Sequence, residues 1–466
     1  MQTSNVLKKY KNFIKDYISP LMGISNNNLE DSDIINNEMI IQKDNYLYFS
    51  TQDTALCKIQ IKTVIPEDTL KLSRAVLLSF LSVASYYIKD GKKNVNYVSG
   101  SHEKTNYRAA VQRGIVSWVL GNNKGERLEK LFDLLEEWSV KTYEGKKVTL
   151  GFIINPNATS DFYNKFGDWL KFMSEDFVAV FTDCIDSVIE LDSECNFSRY
   201  LSVIDCDDIN NKHLKTSYGV PIRFAKIIET YVTDKNIGVF LLNNGDIILA
   251  KDSKITLVKR NLKWLNFSYP AFNNAIEANL NFKLDEPLKQ SIYASMLDVS
   301  FSHAGGIISV IDDINKLTET KKGEEPILSL TDNLFNENSY DDMKRNFKNH
   351  NKALKRSKKH LVISNGDVNR RILKRVVIDK LVQKQTFENI NRKLRCELIS
   401  LDGACIINSD GTPISFGAII KNDSGSSGGG RGAATRKLSR YGCAIKISTD
   451  GYIELYIGGT LKYSIK

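Results

Sequence analysis

No stretch of this chain is long and apolar enough to cross a bilayer. The oiliest run, Ala75 to Ile88, is short and rich in Ser, and reads as a buried helix. Nor does the Lys-rich N-terminal stretch contain the apolar core of a secretory signal. Both absences point to a cytoplasmic protein with no membrane partner. Cysteine is sparse and unpaired in pattern. Cys57, Cys184, Cys195, Cys206, Cys396, Cys405 and Cys443 include no Cys-x-x-Cys, which argues against a disulfide framework. Cys184, Cys195 and Cys206 are evenly spaced near His213. Structural zinc sites place ligands about two to four residues apart, so small buried core residues are the better reading. Acid is missing from Lys344 to Gly366, a segment holding eight Lys or Arg. It reads as a solvated helix or loop inserted between core elements. Phe347 is the only aromatic residue among those charges, so nothing there stacks on single strands, and nucleic acid is not the expected partner.

What is present is an ordinary globular composition. With 466 residues, 42% hydrophobic and 26% charged, the chain can bury two or three sizeable cores. Apolar spacing predicts a helix from Val6 to Ile18, stopping before Pro20, and strand-like runs at Met39–Phe49 and Ala55–Val64. Helices are expected up to about Lys89, over Glu126–Val140 and around Asp161–Met173, with strands at Val148–Ile154, Phe177–Thr182 and Ser187–Leu191. That mixture makes residues 1–217 an α+β domain without a motif of chemistry. Residues 218–284 read as a connecting region, in which Asn243-Asn244-Gly245 between two apolar runs signals a hairpin. Residues 285–466 form a further domain. A helix from Glu286 precedes Ala304–Ile311, a continuous apolar run that reads as a central strand, and a basic insertion occupies about 316–360. A helix at Arg370–Leu381 follows, then strand-turn-strand rhythm around Asp410-Gly411 and Asp450-Gly451. The fold class is thus α/β (α+β), ending in a mixed sheet flanked by helices.

Two features of the last hundred residues carry chemistry. Leu401-Asp402-Gly403-Ala404 stands at the entrance of a strand. An Asp there can hold a divalent metal and face a substrate, while Gly and Ala let backbone approach closely. Asp-Gly is also an ordinary turn. Ser424–Ala434 is Gly-rich, contains Arg431, and runs into an expected helix at Thr435–Tyr441. Gly-rich backbone opening onto a helix offers N–H groups and a favourable dipole to phosphates, and Arg adds a forked donor. The plain alternative is a flexible linker, but core-like sequence continues on both sides.

Together these segments resemble the diadenylate cyclase family. Asp402-Gly403-Ala404 matches its Asp-Gly-Ala signature, and Gly429-Gly430-Arg431-Gly432-Ala433-Ala434 stands where the family has Gly-Thr-Arg-His-Arg. Ser302–Val310 is similar to its first core strand. The resemblance implies a face-to-face homodimer or higher homo-oligomer. Each subunit would hold one ATP with Mg²⁺ or Mn²⁺, and two ATP would be joined into cyclic di-AMP with release of two pyrophosphates. It makes Asp402 the metal ligand and catalytic carboxylate, with Arg431 beside the phosphates. Gly403, Ala404, Gly429, Gly430, Gly432 and Thr435 would line the ATP site, Gly417 and Ile420 would lie against the adenine, and Ser448 would reach phosphate or ribose. The first domain would be a soluble sensor. The chain departs from the family in having no His after His360 and only Arg431 in the loop. An ATP- or cyclic-dinucleotide-binding sensor without turnover is therefore the second reading.

Overall fold

The computed structural model describes residues 2–24, 28–34, 38–51, 55–61, 63–89, 101–120, 125–203, 217–318, 327–328, 332–334, 345, 365–420 and 429–466. It has two compact units, residues 1–278 with 463–466, and residues 279–462. Both combine sheets and helices, so the α+β class stands. Among the described residues, no helix is long and apolar enough to cross a membrane.

In the first unit, helix α1 (Gln2–Phe13) runs on through Ile14–Ile18 into Ser19–Leu21. Pro20 does not stop it: the backbone keeps right-handed helical angles at Ile18 and Ser19 before it and at Met22 after it. The run at Met39–Phe49 is two strands rather than one. After β1 (Leu29–Glu30), β2 (Ile40–Lys43) turns at Asp44, φ 54°, into β3 (Tyr46–Ser50), and β4 (Ala55–Gln60) completes an antiparallel sheet of order β1-β4-β3-β2. Helices α2 (Glu67–Lys89), α3 (Ser101–Leu120) and α4 (Gly125–Val140) follow. The helix expected at 161–173 is broken into two short pieces: Gly167 takes φ 91°, and Asp168 caps a new start by accepting from the Leu170 amide. Phe177–Thr182 is not a strand. Asp176–Val180 is a tight helical turn that leaves Phe177 and Val180 exposed.

A small hairpin, β5 (Thr142–Tyr143) and β6 (Lys146–Lys147), precedes the larger sheet. Its strands are β7 (Leu150–Ile154), β8 (Ser187–Leu191), β9 (Phe197–Ser202), β10 (Ile237–Leu241), β11 (Ile247–Lys251), β12 (Lys254–Arg260) and β13 (Lys263–Asn266). Their order is β13-β12-β11-β10-β7-β8-β9. The Asn244-Gly245 hairpin forms as expected, with Gly245 at φ 87°. Residues 218–284 are not a connector, however. Strand β10 pairs along its whole length with β7, Ile237 opposite Ile154, so these strands complete the sheet begun before residue 217, and α5 (Tyr269–Glu277) closes the unit.

The second unit opens with α6 (Glu286–Ser302) and is built on β14 (Gly306–Ile311), β15 (Ala404–Asn408), β16 (Pro413–Ala418), β17 (Gly442–Ile447), β18 (Ile453–Ile457) and the start of β19 (Thr460–Ile465), whose residues from Tyr463 on fall in the first unit. The order is β16-β15-β14-β17-β18-β19, with β14 parallel to β15 and antiparallel to β17. The apolar run at 304–311 is therefore the central strand expected. Helix α7 (Asn365–Val382) and α8 (Arg392–Ile399) precede β15, and Arg392 forks onto Asp298 of α6 at 2.7 and 2.9 Å. Helix α9 (Gly429–Leu438) buries Ala434 and Leu438 in one core with Ile307, Ala404, Ile406, Ala418 and Ala444. The basic run from Lys344 lies outside the described residues except for Arg345, which is exposed.

Candidate functional site

Two glycines let the Asp402 turn and the end of β16 pack backbone on backbone. Gly403 takes φ 114°, and a Cβ on it would stand 2.4 Å from the Gly417 carbonyl carbon and 2.6 Å from the Ala418 oxygen. Gly417 takes φ 68°, with the Asp402 carbonyl oxygen 3.0 Å from where its Cβ would be. Side chains are excluded at both positions on steric and conformational grounds. Asp402 is left exposed at the end of the sheet.

Arg431 arrives at the same end of the sheet from α9. Its Nη1 lies 2.8 Å from the space a Cβ on Gly305 would fill, and Gly305 takes φ 71° just before β14. Because β14 and β15 run parallel with Ile308 level with Cys405, Gly305 and Asp402 both stand just before the strands at the same end. Neighbouring strands are about 5 Å apart. Ala404, which opens β15, shares its core with Ala434 and Leu438 of α9, while Asp402 stands in the bend before it, ahead of Gly403. The Asp402 turn and the start of α9 are thus at one end of one sheet.

The start of α9 differs from the sequence expectation. The helix begins at Gly429, not Thr435, so Gly430, Arg431 and Gly432 form its first turn rather than a loop, while 421–428 lie outside the described residues. Gly429 and Gly430 are exposed and Gly432 is buried. Thr435 is not brought to the site: it is buried, and its hydroxyl donates to the Arg431 carbonyl at 2.7 Å. Ser448 lies at the right end of β17, but its hydroxyl accepts from the Tyr452 amide at 3.1 Å and closes the turn into β18. Ala404 and Ile420 are in the core, which leaves their backbone, not their side chains, at the site.

Three residues at this end had no motif to announce them. His303 ends α6 in the left-handed region, with Nδ1 3.0 Å from the Thr449 carbonyl, and is two residues from Gly305. Lys374 of α7 donates to the Gly417 carbonyl at 2.6 Å. Asp332 is buried, with Oδ1 4.0 Å from the Lys374 ammonium and Oδ2 accepting from the Ile419 amide at 3.4 Å. Burial pushes the Lys374 ammonium below its ordinary pKa, Arg371 adds to that, and Asp332 and Asp402 oppose it. Burial likewise raises Asp332, against Lys374, Arg371 and the Ile419 amide. Only the spatial meeting of α7 with the 332 segment connects Lys374 to Asp332, and nothing in local spacing encodes it.

Among the described residues no three His, Cys, Asp or Glu gather as a metal cage. A divalent cation at Asp402 would take its remaining oxygen ligands from phosphate and water, the usual habit of Mg²⁺. In the first unit, Cys184 and Cys195 are core residues, each less than 3% exposed, while Cys206 and His213 lie outside the described residues. The chain matches no family model, no curated protein and no solved structure.

Proposed function

We propose that the second unit binds ATP with Mg²⁺ or Mn²⁺ and joins two ATP into cyclic di-AMP, releasing two pyrophosphates, with the first unit as a soluble sensor. The observation that supports this reading is that the Asp402 turn and the Arg431-bearing start of α9 lie at the same end of the sheet, before the parallel strands β14 and β15. That arrangement suits one nucleotide. Its triphosphate lies along the first turn of α9, where helix N–H groups and the Arg431 fork favour anionic oxygens. Asp402 holds the divalent ion, which when bound neutralises phosphate charge and makes the attacking hydroxyl easier to deprotonate. The 3′-hydroxyl of one ATP attacks the α-phosphate of the other, pyrophosphate leaves, and the reciprocal attack closes the ring. Positioning and fixed charge supply most of the rate in such phosphoryl chemistry. Two sites must face each other, so a second copy of this chain is the partner. The exposed apolar face of α7, formed by Leu373, Val376, Val377 and Leu381, is a surface that copy would cover.

Incubation of the full chain with ATP and Mn²⁺ should yield cyclic di-AMP, and Asp402→Asn should lower the rate by at least about 100-fold while leaving the fold intact. Absence of product from the wild-type chain would end this reading. One observation favours the alternative: no other cation accompanies Arg431 in the Gly-rich segment at 424–434. A sensor without turnover predicts thermal stabilisation by ATP and no product.

A further inference from the structure

Asp332 and Lys374 grip the strand end on which the Asp402 turn rests. The carbonyl of Gly417 accepts from Lys374 at 2.6 Å, and the amide of Ile419 donates to Asp332 at 3.4 Å. These two peptide groups bracket Ala418, the residue opposite Ala404 in the β15–β16 pair. Beyond Ala418 the ladder ends, so side chains from two separate segments take over from strand pairing. Gly417 in turn packs directly on the Asp402 carbonyl. A displacement of Gly417 therefore displaces the backbone that carries the Asp402 carboxylate.

The grip is built from buried charge. The Asp332 side chain is fully buried, and its Oδ1 has no hydrogen-bond donor among the described residues, while Lys374 Nζ stands 4.0 Å away. A carboxylate oxygen left so close to an ammonium without a bond is costly for folding alone. An apolar pair would fill the space as well. A cation that holds a carbonyl on the strand next to the Asp402 turn, kept in place by a buried anion, is better explained by what it holds.

We propose that Lys374 and Asp332 are positioning residues for the Asp402 carboxylate, fixing the end of β16 against the Asp402–Gly403 turn. For its kinetic readout the proposal rests on the cyclase reading above. Lys374 acts through the Gly417 carbonyl and, by way of it, on the Asp402 turn, so its loss falls mainly on how well Asp402 is aimed. Misplacement of a reacting group by about 1 Å costs up to about 100-fold in rate.

The test compares Lys374→Met, Lys374→Arg and Asp332→Asn in the full chain. Lys374→Met should lower kcat by about tenfold with the KM for ATP changed less than about twofold, because a transition-state alignment is lost and not a ground-state contact. Lys374→Arg keeps a charged donor for Gly417 and should recover activity to within about threefold of wild type. Asp332→Asn should fall between the two. A raised KM at unchanged kcat would make Lys374 a nucleotide contact and overturn the proposal, as would an Arg variant no better than Met. Amide exchange separates this test from the fate of the cyclase reading, since it needs no turnover. Lys374→Met should speed exchange about tenfold in peptides covering 402–404 and 417–419, with β17 unchanged. Unchanged exchange there, or acceleration spread over the whole unit, overturns the inference even if the protein makes cyclic di-AMP.

Discussion

At the scale of single residues, buried charge marks each unit in a different way. Lys374 and Asp332 sit beside an exposed carboxylate, whereas Lys259 of the first unit is enclosed. Its ammonium donates to Gln112 Oε1 at 2.8 Å, touches Glu136, and lies 5.5 Å from the Trp264 ring centroid. Burial lowers it to about 8, with Asp133 opposing and Arg108 adding to the shift. Between that value and the ordinary 10.5, the unfolded chain carries a proton that the folded chain has lost. Folding stability contributed by this residue therefore rises with pH across that window, by up to roughly 1.4 kcal/mol per pH unit. Denaturant titrations of wild type and Lys259→Met at about pH 7.5 and 9.5 isolate it. The wild type should gain on the variant at the higher pH, and an unchanged difference would contradict the burial argument. Cysteine is quieter: burial pushes the thiols of Cys57, Cys195 and Cys443 up to about 12, so they are inert packing groups at neutral pH.

Elements were legible where local pattern and packing agree. The run at 304–311 is apolar at nearly every position because β14 is buried on both faces between β15 and β17. The Asn-Gly turn at 244–245 makes its hairpin because Gly accepts a positive φ there. Legibility failed where one residue overrides a pattern. Gly167 splits a helix that the apolar spacing supports, and Phe177, Val180 and Phe181 look like a strand yet stay on the surface. In α9 the reverse holds, since three glycines that should delay the helix are overruled by the buried Ala434 and Leu438. Those glycines have a separable use. Gly430 is exposed, and among the described residues nothing lies within 4 Å of a Cβ built on it. Gly430→Ala should stabilise the helix by roughly 0.5–1 kcal/mol. If phosphate approaches that backbone closely, the same methyl should weaken ATP binding by about tenfold or more. Thermal unfolding and ATP titration of one variant read both effects, and unchanged affinity would move the triphosphate away from residue 430.

Across the whole molecule, the two units differ in what the sequence discloses. The first is a core without a motif: its seven-stranded sheet draws on residues 150–266, so the boundary falls after Ala278 and not near 217, a fact visible only once β10 is seen against β7. The second announced its Asp402 and Arg431 but not Lys374, Asp332 or His303, which the chain supplies from elements with no shared spacing. The net charge of +9 suits an anionic substrate without specifying one. The account depends on Asp402 and Arg431 addressing one nucleotide, and a double-mutant cycle on ATP affinity with Mn²⁺ tests that most directly. Asp402→Asn and Arg431→Ala, singly and together, should couple by at least about 0.5 kcal/mol, because each group acts on the same triphosphate and metal. Strictly additive effects would mean that the two groups serve separate sites, and the proposed reaction would have no centre.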